Sequence, residues 1–229
     1  MTKMKKTMLL AAAAVGLGTG LLAVSQSPTG FAPPQQVQSS FTDPAAVPSD
    51  LARLDAALNS ITNFEGTFYQ HNPDGTTDTG KIYVSRPGKM WFEFADPNPL
   101  LVVSDGVTLV QHDKLLETTD RVPLSATPLN FFLKENVRLE RDTEVVSLLK
   151  DPQTIRVTSR DGSGEMDGNL TMVFDTQTLA FKAWIVEDVM GGMTVVELTD
   201  LAYNGNIDPR LYVFREDGDR RDRRDRRRR

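Results

Sequence analysis

The chain contains no cysteine, which excludes a disulfide scaffold and every thiolate metal site. Histidine is nearly as scarce: His71 beside a turn and His112 in a strand are far apart and show no His-x-x-x-His spacing, so an imidazole metal site is unsupported. No Gly-x-Ser-x-Gly elbow supplies a hydrolase nucleophile. The stretch GSGEMDGN (162–169) lacks the alternating Asp pattern and closing Glu of a calcium loop, and reads as a hairpin turn. Glu187 and Asp188 adjoin on one strand and so point to opposite faces, which denies them paired acid and base roles. Nothing in the residues points to an enzyme, and no cofactor or metal is expected.

Net positive charge is missing from the body of the chain. The tail Arg220–Arg229 holds eight Arg against two Asp, and Lys3, Lys5 and Lys6 stand near the start; removing both from the whole-chain −5 leaves −14 on residues 26–219. Phosphate neutralisation needs a basic face, so no nucleic-acid partner is expected.

Long apolar runs are confined to Met8–Val24. With three lysines ahead of it and Ala23 and Ser25 behind, residues 1–25 read as a cleaved secretory signal peptide, and the run is shorter than the ~20 residues a spanning helix prefers. No cysteine follows it, so the chain is not itself lipidated there. Residues 26–47 are rich in Pro, Gln and Ser without apolar period, the composition of a disordered linker. Residues 48–216 are one domain's worth of chain, and the Arg-rich 217–229 is expected to be a disordered tail.

Within the domain, Leu51, Leu54, Leu58 and Ile61 recur at helical spacing, with Ser49 placed to cap. From Phe64 the period becomes two, and Asn-Pro-Asp-Gly, Pro-Gly, Asp-Gly and Gly-Gly punctuate an antiparallel meander. The expected strands are 64–71, 80–86, 89–95, 100–104, 107–112, 115–119, 136–142, 144–149, 154–160, 169–175, 178–189, 193–203 and 211–215. A short, very apolar helix is expected within 122–136, where Ser125 or Thr127 precedes Leu129, Phe132 and Leu133. Two helices cover only one face of such a sheet, so the fold class is α+β, mainly antiparallel β. About 11 strands curl into an incomplete, half-open barrel, with a helical lid over a hydrophobic cavity.

Strand parity says which side chains face that cavity. Phe64, Gly66, Phe68 and Gln70 share one face of the first strand. Ile82, Val84 and Arg86 form the next set, continued by Met90, Phe92 and Phe94; the opposite set on that strand is Lys89, Trp91 and Glu93. Later strands offer Leu170, Met172 and Phe174, then Leu179, Phe181, Ala183 and Ile185. The expected lipid-facing residues are Phe68, Ile82, Val84, Met90, Phe92, Phe94, Leu129, Phe132, Leu133, Met172 and Phe174. By parity Arg86 points inward or lies at the rim, where its stem can pack while its head meets water.

Several stretches, in order, resemble one family: FEGTFYQ, GKIYVSRPGKMWFEF, DPNPLLVVSDGVTLVQHD, SATPLNFFL, DVMGGMT and YNGNID followed by YVF, together spanning about residues 50–215. The chain is similar to the periplasmic outer-membrane lipoprotein carrier family, LolA. That resemblance implies a monomeric periplasmic chaperone. It would take the acyl chains of lipoprotein cargo from an inner-membrane ABC transporter to an outer-membrane acceptor. It also implies that Arg86 latches barrel to lid, five donors in a fixed fork bonding lid carbonyls. The family's two inward aromatics after Arg-Pro correspond to Met90 and Phe92, one ring replaced by a thioether, and REDGDRRDRRDRRRR has no family counterpart. A carrier of another lipid or hydrophobic ligand on the same fold, and an interaction module with a solid core, are the alternatives.

Overall fold

The computed structural model describes residues 47–163 and 167–215. The expected leader, the linker as far as residue 46 and the arginine tail lie outside them. Helix α1 (Val47–Ser60) is followed by six strands: β1 (Asn63–His71), β2 (Thr77–Ser85), β3 (Lys89–Phe94), β4 (Leu100–Asp105), β5 (Thr108–Asp113) and β6 (Thr118–Pro123). A crossover carries a 3-10 turn (Leu124–Ala126), α2 (Asn130–Leu133) and α3 (Leu139–Asp142). Five strands follow: β7 (Glu144–Lys150), β8 (Thr154–Arg160), β9 (Asn169–Asp175), β10 (Phe181–Glu187) and β11 (Met193–Tyr203), and then a 3-10 turn at Pro209–Tyr212.

All eleven strands form one antiparallel sheet in the order β6-β5-β4-β3-β2-β1-β11-β10-β9-β8-β7. Every neighbour is a hairpin partner except β1 and β11, whose pairing from Phe64↔Tyr203 to His71↔Val195 seams the two meanders together. Edges β6 and β7 stay unpaired with each other, so the sheet is open. The chain passes from one edge to the other through the crossover, whose buried Leu129, Phe132 and Leu133 join the core on the sheet's concave face.

α1 buries Leu51, Leu54 and Leu58. Its first turn places Asp50 against Lys150 at the end of β7, and its last turn meets Arg86 just beyond β2, so the helix spans one end of the sheet between its halves. Ser49 sits inside the first turn rather than ahead of it.

Four expectations are corrected. Residues 136–142 are not a strand: Asn59 grips the backbone of Val137 at both N–H and C=O, and Asp55 and Asp142 accept the N–H groups of Leu139 and Arg138, which winds α3. The helix expected in 122–136 is reduced to a 3-10 turn and the four residues of α2, because Pro128 holds Thr127 extended (φ −123°, ψ 146°). Residues 211–215 are not a strand, since Asp208 caps a 3-10 turn by accepting Arg210 N–H at 2.9 Å. The strand expected at 115–119 begins only at Thr118, because the Asp113 carboxylate accepts the N–H groups of Leu115 and Leu116, each at 2.8 Å, and forms the hairpin tip.

Glycine decides one packing contact. A Cβ on Gly80 of β2 would strike the Glu93 carbonyl oxygen and come within 2.5 Å of the Phe68 ring, so the ring lies flat over bare backbone. Gly80→Ala is expected to lower the urea unfolding midpoint at unchanged slope, by about 1–3 kcal/mol of overpacking strain; an unaltered midpoint would contradict this packing.

Candidate functional site

The concave face is built by alternation. On β1–β3 every second side chain points inward, and register places Phe68, Ile82, Val84, Met90, Phe92 and Phe94 side by side. Phe68 stacks on Phe92 at 3.7 Å between ring centroids, and Phe94 meets both edge-on at 5.0 and 5.4 Å. From the other half of the sheet come Met172 and Phe174, and from the crossover Leu129, Phe132 and Leu133. All eleven fall in one buried cluster, none more than 4% exposed. In this conformation they pack on one another, so wall and crossover side chains together occupy the concavity.

Parity misplaces one strand. Alternation from Phe181 would turn Ala183 and Ile185 inward, but the register with β9 shifts between Phe181 and Ala183. Past this bulge Trp184 and Val186 face the core instead. Trp184 bridges the two halves, 6.1 Å from Phe92 and 5.3 Å from Phe132, while Phe132 lies 5.6 Å from Phe181. Leu179 sits in the turn before β10 with φ +58°. No sequence signal marks the bulge, so Trp184 escaped the parity argument.

Arg86 leaves the end of β2 half-buried and points at backbone. Its Nε donates to the Lys134 carbonyl at 2.8 Å and its Nη1 to the Ile61 carbonyl at 3.2 Å; further bonds reach the Leu58 and Lys134 carbonyls. Nη2 also donates to Asn59 Oδ1 at 3.2 Å and to the Glu135 carbonyl at 3.4 Å. Leu58 belongs to the last turn of α1, where carbonyls lack helical partners and the dipole favours a cation. Lys134 and Glu135 directly follow α2. No carboxylate pairs with the guanidinium among these contacts. Burial draws its pKa below the usual arginine value, yet the group stays charged.

The next turn is tied down as well. Gly88, at φ +73°, donates its N–H to the Leu133 carbonyl at 2.8 Å, and Ser104 Oγ donates to the Gly88 carbonyl at 2.7 Å. A Cβ on Gly88 would meet Gly106 Cα at 2.6 Å, so the Arg-Pro-Gly turn can approach the β4–β5 turn only with glycine there. Asn59 and Asp55 add the side-chain stitches to 137–139, and burial pushes the Asp55 carboxyl up despite the N–H it accepts from Leu139. These two polar residues carried no recognisable motif.

The histidines lie apart from this cluster. His71 Nδ1 is 3.0 Å from Thr77 Oγ1, and His112 lies on the convex face with its ring 5.1 Å from Phe214. Among the described residues no helix is long and apolar enough to cross a membrane.

Residues 59–215 match the family described as Outer membrane lipoprotein carrier protein LolA. The chain is 28% identical over 171 residues to the outer-membrane lipoprotein carrier protein of Chromohalobacter salexigens, covering 71% of this chain and 80% of that protein. It is 26% identical over 188 residues to that of Alkalilimnicola ehrlichii, covering 76% and 82%. A solved structure of a LolA superfamily protein from Nitrosomonas europaea aligns with a TM-score of 0.44 at 9% identity, covering 73% of this chain and 97% of that one. With its family match spanning more than half its length, the chain belongs to the LolA family of outer membrane lipoprotein carrier proteins.

Proposed function

We propose that the protein is a periplasmic chaperone that shelters lipoprotein acyl chains between an inner-membrane ABC transporter and an outer-membrane acceptor. Its binding site is the concave apolar face, and its lid is the crossover from Leu124 to Asp142. The observation that carries this reading is the Arg86 contact: a largely apolar concave wall is covered by a segment whose Lys134 carbonyl accepts from the guanidinium, with Gly88, Asn59 and Asp55 adding further ties. Family membership and the names of the relatives support the same reading.

The energetics require a container that opens. Each acyl methylene exposed to water costs about 0.8 kcal/mol, so a lipoprotein in transit needs tens of kcal/mol of shelter. The bilayer already offers that shelter, and a pocket that bound much more tightly would never unload. A lid that closes over the empty wall lowers the free energy of the unloaded state and brings cavity and membrane towards balance. Phe132 and Leu133 play both parts: they fill the concavity when it is empty and leave it when chains enter. Met90, where the resemblance places an aromatic ring, keeps part of the wall deformable.

Depletion of the protein in its host is expected to leave lipoproteins at the inner membrane, scored by membrane fractionation; normal sorting would overturn the carrier reading. Mass spectrometry of ligand extracted from protein purified out of the periplasm is expected to find acylated peptide, whereas free lipid alone would point to a different amphiphile. Arg86→Leu removes charged hydrogen bonds worth about 1.5–3 kcal/mol each. The closed empty form should become less stable to urea, and transfer of bound lipoprotein to the acceptor should slow by about tenfold or more. Arg86→Lys keeps the charge without the fork and should fall between. Wild-type transfer by Arg86→Leu would remove the latch from the mechanism.

A further inference from the structure

The chain after β11 crosses the convex face. Asp208 caps the turn at Pro209–Tyr212, and Tyr212, 2% exposed, packs against β3 and β4 and pins the segment there. Beside it opens a groove of about 400 Å³, within the range of small-molecule sites. Trp91, Leu101 and Phe214 give this groove apolar and aromatic walls, and Lys114, Arg210 and Arg215 line it against one carboxylate, Asp208. That sign is unusual for this chain. Residues 26–219 carry a net −14, and the groove at the end of the concave face away from Arg86 is lined by Asp78, Asp113 and Asp120 with no Lys, Arg or His.

Donors outnumber acceptors around the convex groove. Lys114 Nζ gives one bond, to Glu93 Oε1 at 2.5 Å, and Arg210 holds Asp208 through Nε and Nη2 at 3.0 and 2.7 Å. Both pairs are solvent-exposed, where ion pairs are weak, so the cations stay open to a second acceptor. Arg215 brings five further donors and makes no hydrogen bond or ion pair among the described residues. His112 completes the set. Its Nδ1 lies 3.1 Å from the Thr118 carbonyl oxygen, which can only accept, so Nδ1 carries the proton and Nε2 is left for a ligand. At Nε2 the neutral ring offers a lone pair and the imidazolium a donor, so a bound anion favours the charged ring. The charges around this ring are Lys114, Arg210, Arg215 and Asp208 in the groove, Glu93 behind Lys114, Asp113 next along its strand, and Arg121 over the Phe214 ring.

We propose that this convex groove binds a small amphiphilic anion, with its phosphate or carboxylate head at His112, Lys114 and Arg215 and its apolar body against Trp91 and Phe214. A bare inorganic ion would leave both rings unused. The groove lies on the opposite side of the sheet from the proposed lipid wall, so it stands or falls separately from the carrier reading.

The chain holds two histidines, so imidazole NMR of the full chain reads the site directly, with His71 beside Thr77 as internal control. Both rings are titrated between about pH 5 and 8 without ligand and with octyl phosphate below its micelle threshold, inorganic phosphate or octyl glucoside. Octyl phosphate is expected to raise the His112 midpoint by about 0.5 unit or more and to leave His71 in place. By reciprocity it binds about threefold more tightly to protein with the charged ring. At equal concentration inorganic phosphate should move His112 much less, and octyl glucoside not at all. Arg215→Gln, which breaks no bond among the described residues, should weaken octyl phosphate binding at least about threefold, and Lys114→Gln added to it at least about tenfold, at an unchanged circular dichroism spectrum. An unmoved His112, an equal shift of His71, or wild-type affinity in Arg215→Gln would overturn the proposal. So would an equal effect of inorganic phosphate, which makes the ligand an ion alone, or of octyl glucoside, which leaves charge no part.

Discussion

The Arg86 guanidinium is the joint between the first helix and the crossover. It satisfies carbonyls at the frayed end of α1 and just after α2 at once, and so ties the helix that spans one end of the sheet to the segment that covers its face. Had its partners been carboxylates, the pair would have formed a buried ion pair, costly to break because each charge would be stranded. Carbonyls leave only a dipole behind, which water can satisfy when the segment lifts. Under the proposed function, the cation would be strongly held with the crossover down and cheaply released when it lifts.

The wall beneath it meets the opposite demand. Phe68, Phe92, Phe94 and Trp184 pack as offset and tilted rings rather than as small aliphatic groups, which gives a broad apolar surface with few internal torsions to freeze. Such a surface recognises area rather than shape. Because the crossover fills the concavity, loading under the proposed function would exchange one apolar contact for another, and the net preference would stay small compared with the gross burial. A rigid open bowl would expose this face to water and invite association.

Charge is distributed to suit such an exchange. The body carries a net negative charge, Arg86 is a half-buried cation at the edge of the face, and the densest run of basic residues is at the chain's end. Asp78, Asp113 and Asp120 make the rim at the end of the sheet away from Arg86 polar, so the apolar wall ends short of it.

Much of this architecture is written locally. The period of two, the Gly and Asp turns and the absence of catalytic residue patterns depend only on near neighbours in the chain, and they placed Phe68, Ile82, Val84, Met90, Phe92 and Phe94 on one face with Arg86 at its edge. What the sequence by itself determined was therefore most of the strands and the inward faces of the first three. Only the tertiary structure decided that β1 pairs with β11, that a bulge turns Trp184 inward, and that Asn59 and Asp55 wind 139–142 into a helical turn. It decided too that the apolar stretch beyond β6 breaks into short turns beneath Arg86. The reason is that these features are set by side-chain bonds and by register between segments up to 142 residues apart. A residue's own neighbours carry no trace of such contacts.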